Sequence, residues 1–466
     1  MPGSTPVLSA ELSVLPLEDS RFLVYAPLRQ SAFVTNARVV NFLVGLREGR
    51  FAPADDPEGA LVAFLRGLDI VDAGKEIPPV TEYSGVPEPT SATLFLTTAC
   101  NLRCTYCYAS AGDAPAKFMS LATACRAIDF VSRNAQARCL GRFDLAYHGG
   151  GEPSVNWRVL TESLEYAHRR AAGLGLRAGA SITTNGVLSP SQIEWVANNM
   201  EFVTVSFDGL PEVHDRSRLT VLGSGSSGLV LRTLRRFDEH GVRYGVRMTV
   251  PADQVQSLAD SVEFVCRHAA PVVIQVEPAY QLGRGRGAAP GGAAEFVAAF
   301  REARSRAARL GRDLSFSAAR LGTLTNHFCG VSRDTFAVSP DGNLSACYEV
   351  FSEDSPRAGV FFYGRPGPGD AGYRFELPVL NNLRRQAVQH RGHCAGCFAR
   401  WTCAGDCYHK ALESDGAGEF AGTPRCEITQ ELTKDQILER IAQNGGLFWR
   451  AGSGTAAAAV GKEDVA

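Results

Sequence analysis

Residues 100–107 have the sequence CNLRCTYC, which places the thiols of Cys100, Cys104 and Cys107 in one short loop. Because the spacings are short, a single tight turn can aim all three sulfurs at one point. An iron–sulfur cube bound by cysteines usually has four thiolate ligands, so three would leave one iron open. The stretch therefore predicts a [4Fe-4S] cluster whose open iron binds a small chelating ligand.

Zinc is the alternative for a cysteine loop of this kind. A structural zinc site normally takes four protein ligands, and this loop offers three. A catalytic zinc can have three protein ligands, but these usually include histidine. The spacing therefore favours the iron–sulfur cluster.

The loop resembles the cysteine motif of the radical S-adenosylmethionine (SAM) superfamily, C-x3-C-x-aromatic-C after an apolar strand. The resemblance implies that Cys100, Cys104 and Cys107 hold the catalytic cluster and that SAM binds its open iron. It also implies reductive cleavage of SAM to methionine and a 5′-deoxyadenosyl radical. Tyr106 matches the aromatic position, whose backbone lies near the adenine of SAM in that family.

Composition and charge indicate which partners and which cellular compartment the protein has. The chain has 466 residues, 13 cysteines and a formal net charge of −2, so nothing suggests a nucleic-acid partner. The N-terminus lacks the features of a signal peptide, and no apolar run approaches the length of a membrane span. Closely spaced cysteines in an unexported chain favour metal chemistry over disulfides. We therefore expect a cytoplasmic protein with no membrane partner.

Residues 1–85 are expected to form a winged-helix-like domain, followed by a proline-rich linker. Strands and helices are predicted at residues 12–15, 22–25, 32–34, 36–46 and 59–68, with a closing strand that begins at Ile70. The domain resembles the peptide-recognition (RRE-like) domains of peptide-modifying radical SAM enzymes. Those domains bind a leader peptide as an added strand on an exposed sheet edge. A packing or dimerisation domain is the alternative.

Residues 86–325 alternate between predicted strands and helices. The strands are predicted at residues 93–97, 143–147, 180–183, 202–207, 242–250 and 272–276. Six β-α repeats imply a parallel sheet with right-handed crossovers, so the predicted fold class is α/β with a partial (β/α)6 TIM-like barrel. Functional sites on such sheets lie at the C-terminal ends of the strands, where the remaining motifs fall.

A glycine-rich motif, Gly150-Gly151-Glu152-Pro153, follows the second barrel strand. Glycines let the backbone approach a ligand closely, and the carboxylate of Glu152 can accept hydrogen bonds from an ammonium group. An ordinary glycine turn is the alternative. The motif resembles the G-G-E-P motif of the radical SAM superfamily, which implies that it binds the amino group of SAM.

Three further polar residues are candidates for the pocket. Ser206 and Asp208 follow the fourth strand and resemble family positions that line the ribose and substrate side. Arg218 can pair with a carboxylate of SAM or substrate, and a solvated surface arginine is the alternative. Asn185, after the third strand, is interpreted as a turn former, because Asn-Gly is common in turns.

Seven more cysteines lie in the predicted C-terminal domain, residues 326–446. They resemble the SPASM extension of radical SAM peptide-modifying enzymes, which implies two auxiliary [4Fe-4S] clusters. One ligand set would be Cys394, Cys397, Cys403 and Cys426. The other would be Cys329, Cys347 and Cys407, one protein ligand short. A zinc ribbon is the alternative.

The three other cysteines of the chain and His327 are expected to play no part in the clusters. We expect Cys125, Cys139 and Cys266 not to be ligands, with Cys125 buried on a helix. His327 is expected to be structural. Residues 447–466 are predicted to be a flexible tail.

These patterns predict an oxidoreductase that abstracts hydrogen from a ribosomally made precursor peptide to form a cross-link or another side-chain modification. The implied partners are a precursor peptide with a leader sequence and an electron donor such as flavodoxin or ferredoxin. A sulfatase-maturating, formylglycine-generating enzyme is one alternative. In that branch an acidic residue directly follows the second SPASM cysteine, whereas here Tyr348 does and Glu349 comes next. A non-catalytic zinc-binding interaction protein is the other alternative.

Overall fold

The computed structural model describes residues 6–50, 59–287, 291–369, 372–414 and 422–452. Strands in these residues form one sheet of 11 strands and one of four. The large sheet carries most of the buried apolar side chains, and the N-terminal region has a separate apolar core. None of the described helices combines the length and the apolar character that crossing a membrane requires.

The N-terminal region consists of three antiparallel strands followed by two helices. These are β1 (Ser13–Pro16), β2 (Phe22–Ala26), β3 (Ser31–Thr35), α1 (Ala37–Arg47) and α2 (Ala60–Gly67). The predicted closing strand is wrong in detail, since Val71 makes only an isolated bridge with Leu8. Asp69 and Asp72 both have positive φ angles, which turn the chain out of the extended conformation on either side.

Parallel strands and helices then alternate. The strands are β4 (Ser91–Leu94), β5 (Arg142–Tyr147), β6 (Arg177–Thr184), β7 (Phe202–Ser206), β8 (Tyr244–Val250), β9 (Val273–Pro278) and β10 (Leu314–Ser315). The helices are α3 (Leu121–Ala137), α4 (Trp157–Leu174), α5 (Pro190–Asn199), α6 (Pro211–Ser217), α7 (Ser227–Glu239), α8 (Leu258–His268) and α9 (Ala293–Arg309). From β4 to β10 each strand pairs in parallel with the next along the chain, which confirms the predicted barrel.

Local sequence explains these elements. Ser189 and Gln192 form a reciprocal capping box at the start of α5, with a proline in its first turn. Ser120 caps α3 by accepting a hydrogen bond from the Thr123 N–H. The expectation for Cys125 is wrong, because the buried face of α3 is centred on its alanines and Ile128, and Cys125 lies half-buried at the margin.

The C-terminal region continues the large sheet instead of forming a separate one. Its strands are β11 (Ala337–Val338), β12 (Leu344–Ser345), β13 (Phe362–Pro366) and β14 (Tyr373–Phe375). Its helices are α10 (Ala358–Phe361), α11 (Leu377–Arg384), α12 (Arg400–Cys403), α13 (Tyr408–Ser414) and α14 (Pro424–Gln443). Because β11 pairs in parallel with β4, the sheet runs across the predicted boundary at residue 325.

The prediction of a tail from residue 447 is wrong for its first residues. Phe448–Arg450 form a strand, β15, that pairs antiparallel with β3 of the N-terminal sheet. The physical reason is an alternation of side chains that pack on both faces of that sheet. Residues 453–466 lie outside the described part of the chain.

Candidate active site

The cysteine loop leaves the C-terminal end of β4 and is fixed by hydrogen bonds around it. Cys100, Cys104 and Cys107 are all half-buried. The backbone N–H of Leu102 lies 3.4 Å from the Cys100 sulfur, and the amide nitrogen of Asn185 lies 3.7 Å from it. Hydrogen bonds to cluster sulfurs are one of the means by which a protein sets a cluster's potential.

The charges around the loop suit a negatively charged group. Burial, followed by the Glu152 carboxylate, raises the pKa of Cys100 to about 12, so its thiolate needs a strong positive centre. Burial also raises the pKa of Cys104, while the charges of Arg218 and Arg284 oppose that rise. Arg284 donates to the Cys104 carbonyl over 2.7 Å and pairs with Asp113. A donor set of three thiols that act electrostatically on one another, with cationic neighbours, fits an iron–sulfur cluster.

The glycine motif is bound directly to the chain that leads into the loop. The N–H groups of Gly151 and Glu152 donate to the carbonyls of Thr97 and Ala99 over 3.0 and 2.8 Å. A Cβ atom at Gly151 would lie 2.0 Å from the Ala99 carbonyl oxygen, so no larger residue fits. The motif and the cysteine loop therefore act as one rigid unit.

Glu152 is 3% exposed and already has protein partners. Its Oε1 accepts from the Ser154 N–H (3.1 Å) and the Thr184 hydroxyl (2.9 Å), and its Oε2 accepts from the Asn185 N–H (2.7 Å). Burial raises the pKa of Glu152, and these donors oppose the rise. A carboxylate offers about four acceptor positions, so one remains for a donor from a ligand.

Asp208 and Arg218 form a buried ion pair beneath Tyr106. The Arg218 Nε donates to Asp208 Oδ2 over 2.8 Å and its Nη2 to Oδ1 over 3.2 Å. The Tyr106 hydroxyl also donates to Asp208, and the guanidinium lies 5.3 Å from the centre of the Tyr106 ring. Burial acts to raise the pKa of Asp208, but Arg218 outweighs it and leaves that pKa lowered.

These contacts revise two sequence interpretations. Arg218 is not a surface arginine, because it is buried and its charge is paired with Asp208 in the interior. Asn185 is more than a turn former, since its amide nitrogen also donates to Asn101 Oδ1 over 2.6 Å. Ser206, the last residue of β7, is half-buried.

The seven C-terminal cysteines fall into two groups. Burial raises the pKa values of all seven thiols, and in several of them a neighbouring thiol adds to the rise. Cys426 acts on Cys394, Cys397 and Cys403, whereas Cys347 has Cys329 and Cys407 as its neighbours. His327 is occupied elsewhere, with its ring nitrogens 2.9 Å from Ser332 Oγ and 2.8 Å from the Thr81 carbonyl.

The distances between these thiols in space indicate whether they could bind a single zinc ion. In the described ranges, no three side chains of cysteine, histidine, aspartate or glutamate lie close enough together to hold a single metal ion. A zinc ion would need its sulfurs at about 2.3 Å from one centre. The thiols are therefore grouped, but more loosely than a single-ion site requires.

A cavity of about 370 Å³ opens between the segment that follows the cysteine loop and the C-terminal region. Tyr108 and Gly112 line one side, and Phe351 and Arg357 line the other. Sequence reasoning did not identify Glu349 and His409, whose Oε2 and Nδ1 atoms lie 2.8 Å apart in its wall. Their only sequence signal is position, because each lies two residues after a cysteine.

The sequence profile described as the Radical SAM superfamily matches residues 94–265, from β4 to α8. This segment of the chain is a radical SAM domain. The matched segment contains the cysteine loop, the glycine motif and the Asp208–Arg218 pair. Family membership implies a [4Fe-4S] cluster that binds SAM, which agrees with the donor set at Cys100, Cys104 and Cys107.

Several curated proteins are similar in sequence to this chain. Fe-coproporphyrin III synthase of Methanosarcina barkeri is 29% identical over 173 residues, 35% of this chain and 37% of that protein. Mycofactocin maturase MftC of Mycobacterium ulcerans is 26% identical over 341 residues, 69% of this chain and 84% of that protein. The cysteine-type anaerobic sulfatase-maturating enzyme of Clostridium perfringens is 26% identical over 156 residues, 33% of this chain and 42% of that protein. The first and third matches thus span less than half of the relative's length.

Solved structures share the fold over more of the chain. The structure of anSMEcpe with bound AdoMet has a TM-score of 0.62 at 17% identity, covering 76% of this chain and 96% of that one. Streptococcus suis SuiB bound to the precursor peptide SuiA has a TM-score of 0.51 at 13% identity, covering 90% and 99%. The likeness therefore extends beyond the segment that the family profile matches.

Proposed function

We propose that this radical SAM enzyme removes a hydrogen atom from a side chain of a ribosomally made precursor peptide, and that the oxidised product is a cross-link or another side-chain modification. The cavity of about 370 Å³ carries this proposal. Since its walls come from the segment that follows the cysteine loop and from residues that follow Cys347 and Cys407, a side chain placed there would lie between the two cysteine regions. The names of two similar proteins, mycofactocin maturase and SuiB with its precursor peptide, support a peptide substrate.

The site residues have distinct proposed roles. Cys100, Cys104 and Cys107 hold the cluster, whose chemistry when bound is the reductive cleavage of SAM. Glu152, with Gly150 and Gly151, accepts a hydrogen bond from the SAM amino group at its remaining acceptor position. Asp208 and Arg218 act through Tyr106 by fixing its ring, and Ser206 lines the ribose side.

The C-terminal cysteines are proposed to hold two auxiliary [4Fe-4S] clusters. Cys394, Cys397, Cys403 and Cys426 form the first ligand set, and Cys329, Cys347 and Cys407 form the second. The chemistry these clusters supply is uptake of the electron left when a substrate radical is oxidised. Arg320 lies between the sets, donating to the carbonyls of Phe328 and Cys403 over 3.0 Å each.

The chain is proposed to divide its tasks by region. Residues 1–85 bind the leader of the precursor peptide, residues 86–325 cleave SAM, and residues 326–446 hold the auxiliary clusters. An electron donor such as flavodoxin or ferredoxin would reduce the catalytic cluster. The N-terminal sheet is the structural basis of the first assignment, because a sheet edge can accept a peptide as an added strand.

Anaerobically reconstituted protein supplied with SAM and dithionite tests the central chemistry. We expect 5′-deoxyadenosine from the wild type and from Cys139→Ala, whose exposed thiol belongs to neither proposed set. Cys104→Ala should form none. Product formation that is equal in the two variants would refute the assignment of the cluster. A co-expressed candidate precursor peptide that never loses hydrogen by mass spectrometry would refute the peptide substrate.

Formylglycine formation is the second candidate, and Glu349 is the observation that favours it. Although Glu349 does not directly follow Cys347, its carboxylate lies in the cavity wall beside His409 and Lys410. An aldehyde-reactive hydrazide applied to the product peptide separates the two reactions, because only a formylglycine would be labelled. Metal analysis separates both from a zinc-binding interaction protein, since about twelve irons and twelve sulfides per chain correspond to three cubes.

A further inference from the structure

The strand β15 occupies an edge of the N-terminal sheet. Residues 448–450 pair antiparallel with residues 31–33 of β3, and the Val34 N–H donates to the Leu447 carbonyl over 3.2 Å. The outer strand at the opposite side is β1, which ends at Pro16. Since proline has no N–H to donate, that edge is poorly suited to an added strand. The chain's own C-terminal strand therefore covers the better docking edge.

The side chains of β15 fill specific positions. The ring of Phe448 lies 5.9 Å from that of Phe64 at a near-perpendicular angle, and Phe64 contacts Phe33 in the same way at 5.4 Å. Arg450 donates to the Gly67 carbonyl over 2.5 Å and pairs with Asp69. A cation is favourable there, because Gly67 ends α2 and the C-terminus of a helix carries partial negative charge. The edge thus selects an aromatic residue and, two positions later, a cation.

The segment that connects α14 to β15 allows β15 to be released from the edge of the sheet. Gly445 and Gly446 have φ angles of +87° and +86°, which glycine adopts without strain, and they separate α14 from the strand. Leu447 is 71% exposed and adds little packing. A strand of three residues contributes few ladder hydrogen bonds, so its removal leaves the rest of the sheet intact.

We infer that β15 is a displaceable strand that covers the docking edge of β3. The partner that displaces it is an extended segment of the substrate peptide, with an aromatic residue followed two positions later by arginine or lysine. The added strand takes over the ladder hydrogen bonds of β15 and its positions beside Phe64 and Asp69. The identity of this partner as the substrate peptide rests on the proposed function.

Binding in trans tests the inference with a defined probe. The probe is a fluorescein-labelled peptide with the sequence of residues 445–452, GGLFWRAG. A chain that ends at Asn444 should bind it at least about tenfold more tightly than a matched chain that ends at Gly452. The peptide carrying Phe448→Ala and Arg450→Glu should bind the shorter chain at least about tenfold more weakly. Equal binding by the two chains would overturn the inference.

Hydrogen exchange in the full-length chain gives a measurement that needs no truncation. The amides of residues 448–451 should exchange about a hundredfold faster than those that pair β2 with β3, because β15 opens locally. Adding excess unlabelled GGLFWRAG peptide should leave β3 protected while the amides of residues 448–451 exchange faster still. Equal protection of β15 and the β2–β3 ladder would overturn the inference, since the strand would then open only with the whole sheet.

These measurements are independent of catalysis. Neither uses SAM or a reductant, so failure to form 5′-deoxyadenosine would refute the proposed activity and leave strand displacement standing. Conversely, an active enzyme whose β3 edge never accepts the peptide would refute strand displacement alone.

Discussion

At the scale of one residue, Gly151 shows how closely the glycine motif approaches the cysteine loop. Gly151→Ala would place a methyl group 2.0 Å from the Ala99 carbonyl oxygen, and backbone cannot yield as a flexible side chain can. We expect 5′-deoxyadenosine formation to fall at least about tenfold, because the peptide that precedes Cys100 must shift. Gly173→Ala is the matched control, since its Cβ meets nothing within 4 Å. Equal loss in both variants would contradict the prediction.

His214 makes stability depend on pH. Its Nδ1 accepts from the Asp208 N–H and its Nε2 lies 2.9 Å from the Ser226 hydroxyl, an arrangement that suits the neutral ring. Burial lowers the pKa of His214 to about 4; Asp208 and Asp215 favour protonation and Arg218 disfavours it. As pH falls, His214 is therefore protonated in the unfolded chain at a higher pH than in the folded protein. Protonation favours the unfolded chain, so stability is lost as pH falls from about 6.5 toward 4.

Anaerobic urea unfolding at two pH values measures this effect. Between pH 7.5 and 5.5 we expect His214 alone to remove about 1 kcal/mol of unfolding free energy. His214→Asn keeps an acceptor for the Asp208 N–H and should lose that part of the pH dependence. His240→Asn, at an exposed position, should retain it. The same pH dependence in all three proteins would contradict the prediction.

The sequence predicts which residues belong to the site better than it predicts which residues they contact. The Asn-Gly turn is confirmed, because Asn185 Oδ1 accepts from the Val187 N–H over 2.9 Å. Its contact with Cys100, 85 positions earlier, has no local signal. The same holds for Arg218, whose sequence neighbours do not show that Asp208 would neutralise it inside the protein. A turn is determined by adjacent residues, so the sequence predicts it. A contact between residues far apart in the sequence depends on how the fold brings their strands together.

At the scale of elements, the barrel strands were predictable because burial alternates along them. In β5, Phe143, Leu145 and Tyr147 are buried and the residues between them are half-buried. Strand β15 was not predictable, since two glycines and a short aromatic segment near the end of the chain are typical of a tail. Its partner strand lies more than 400 positions earlier, and only the folded sheet brings them together.

Arg425 ties three elements together through buried charges. In the first turn of α14, it pairs with Asp406, which precedes α13, and with Glu277 at the end of β9. Arg425→Met would remove the cation that hydrogen-bonds to two buried carboxylates, and we expect a loss of roughly 3–5 kcal/mol of unfolding free energy. Arg301→Met is the matched control, because Arg301 pairs with Glu431 and Asp435 of the same helix at a partly exposed site. There we expect a loss of less than about 1 kcal/mol.

At the scale of the whole molecule, one sheet joins the barrel to the cysteine-rich region. The sequence predicted a separate domain from residue 326 because the seven C-terminal cysteines resemble the SPASM extension. The structure joins the two regions because β11 pairs with β4, the strand that leads into the cysteine loop. The strand that leads into the cysteine loop is therefore hydrogen-bonded to the first strand of the C-terminal region, and the cavity lies where the two regions meet.

Iron content tests how the ten cysteines are divided among clusters. We expect about twelve irons per fully loaded chain and about eight in Cys394→Ala. Adding Cys403→Ala should remove no more iron, because both thiols belong to one proposed set and non-additivity marks a shared unit. Adding Cys347→Ala to Cys394→Ala should instead leave about four irons, since that thiol belongs to the other set. A same-set pair that loses as much iron as a cross-set pair would contradict the division, and Cys139→Ala should lose none.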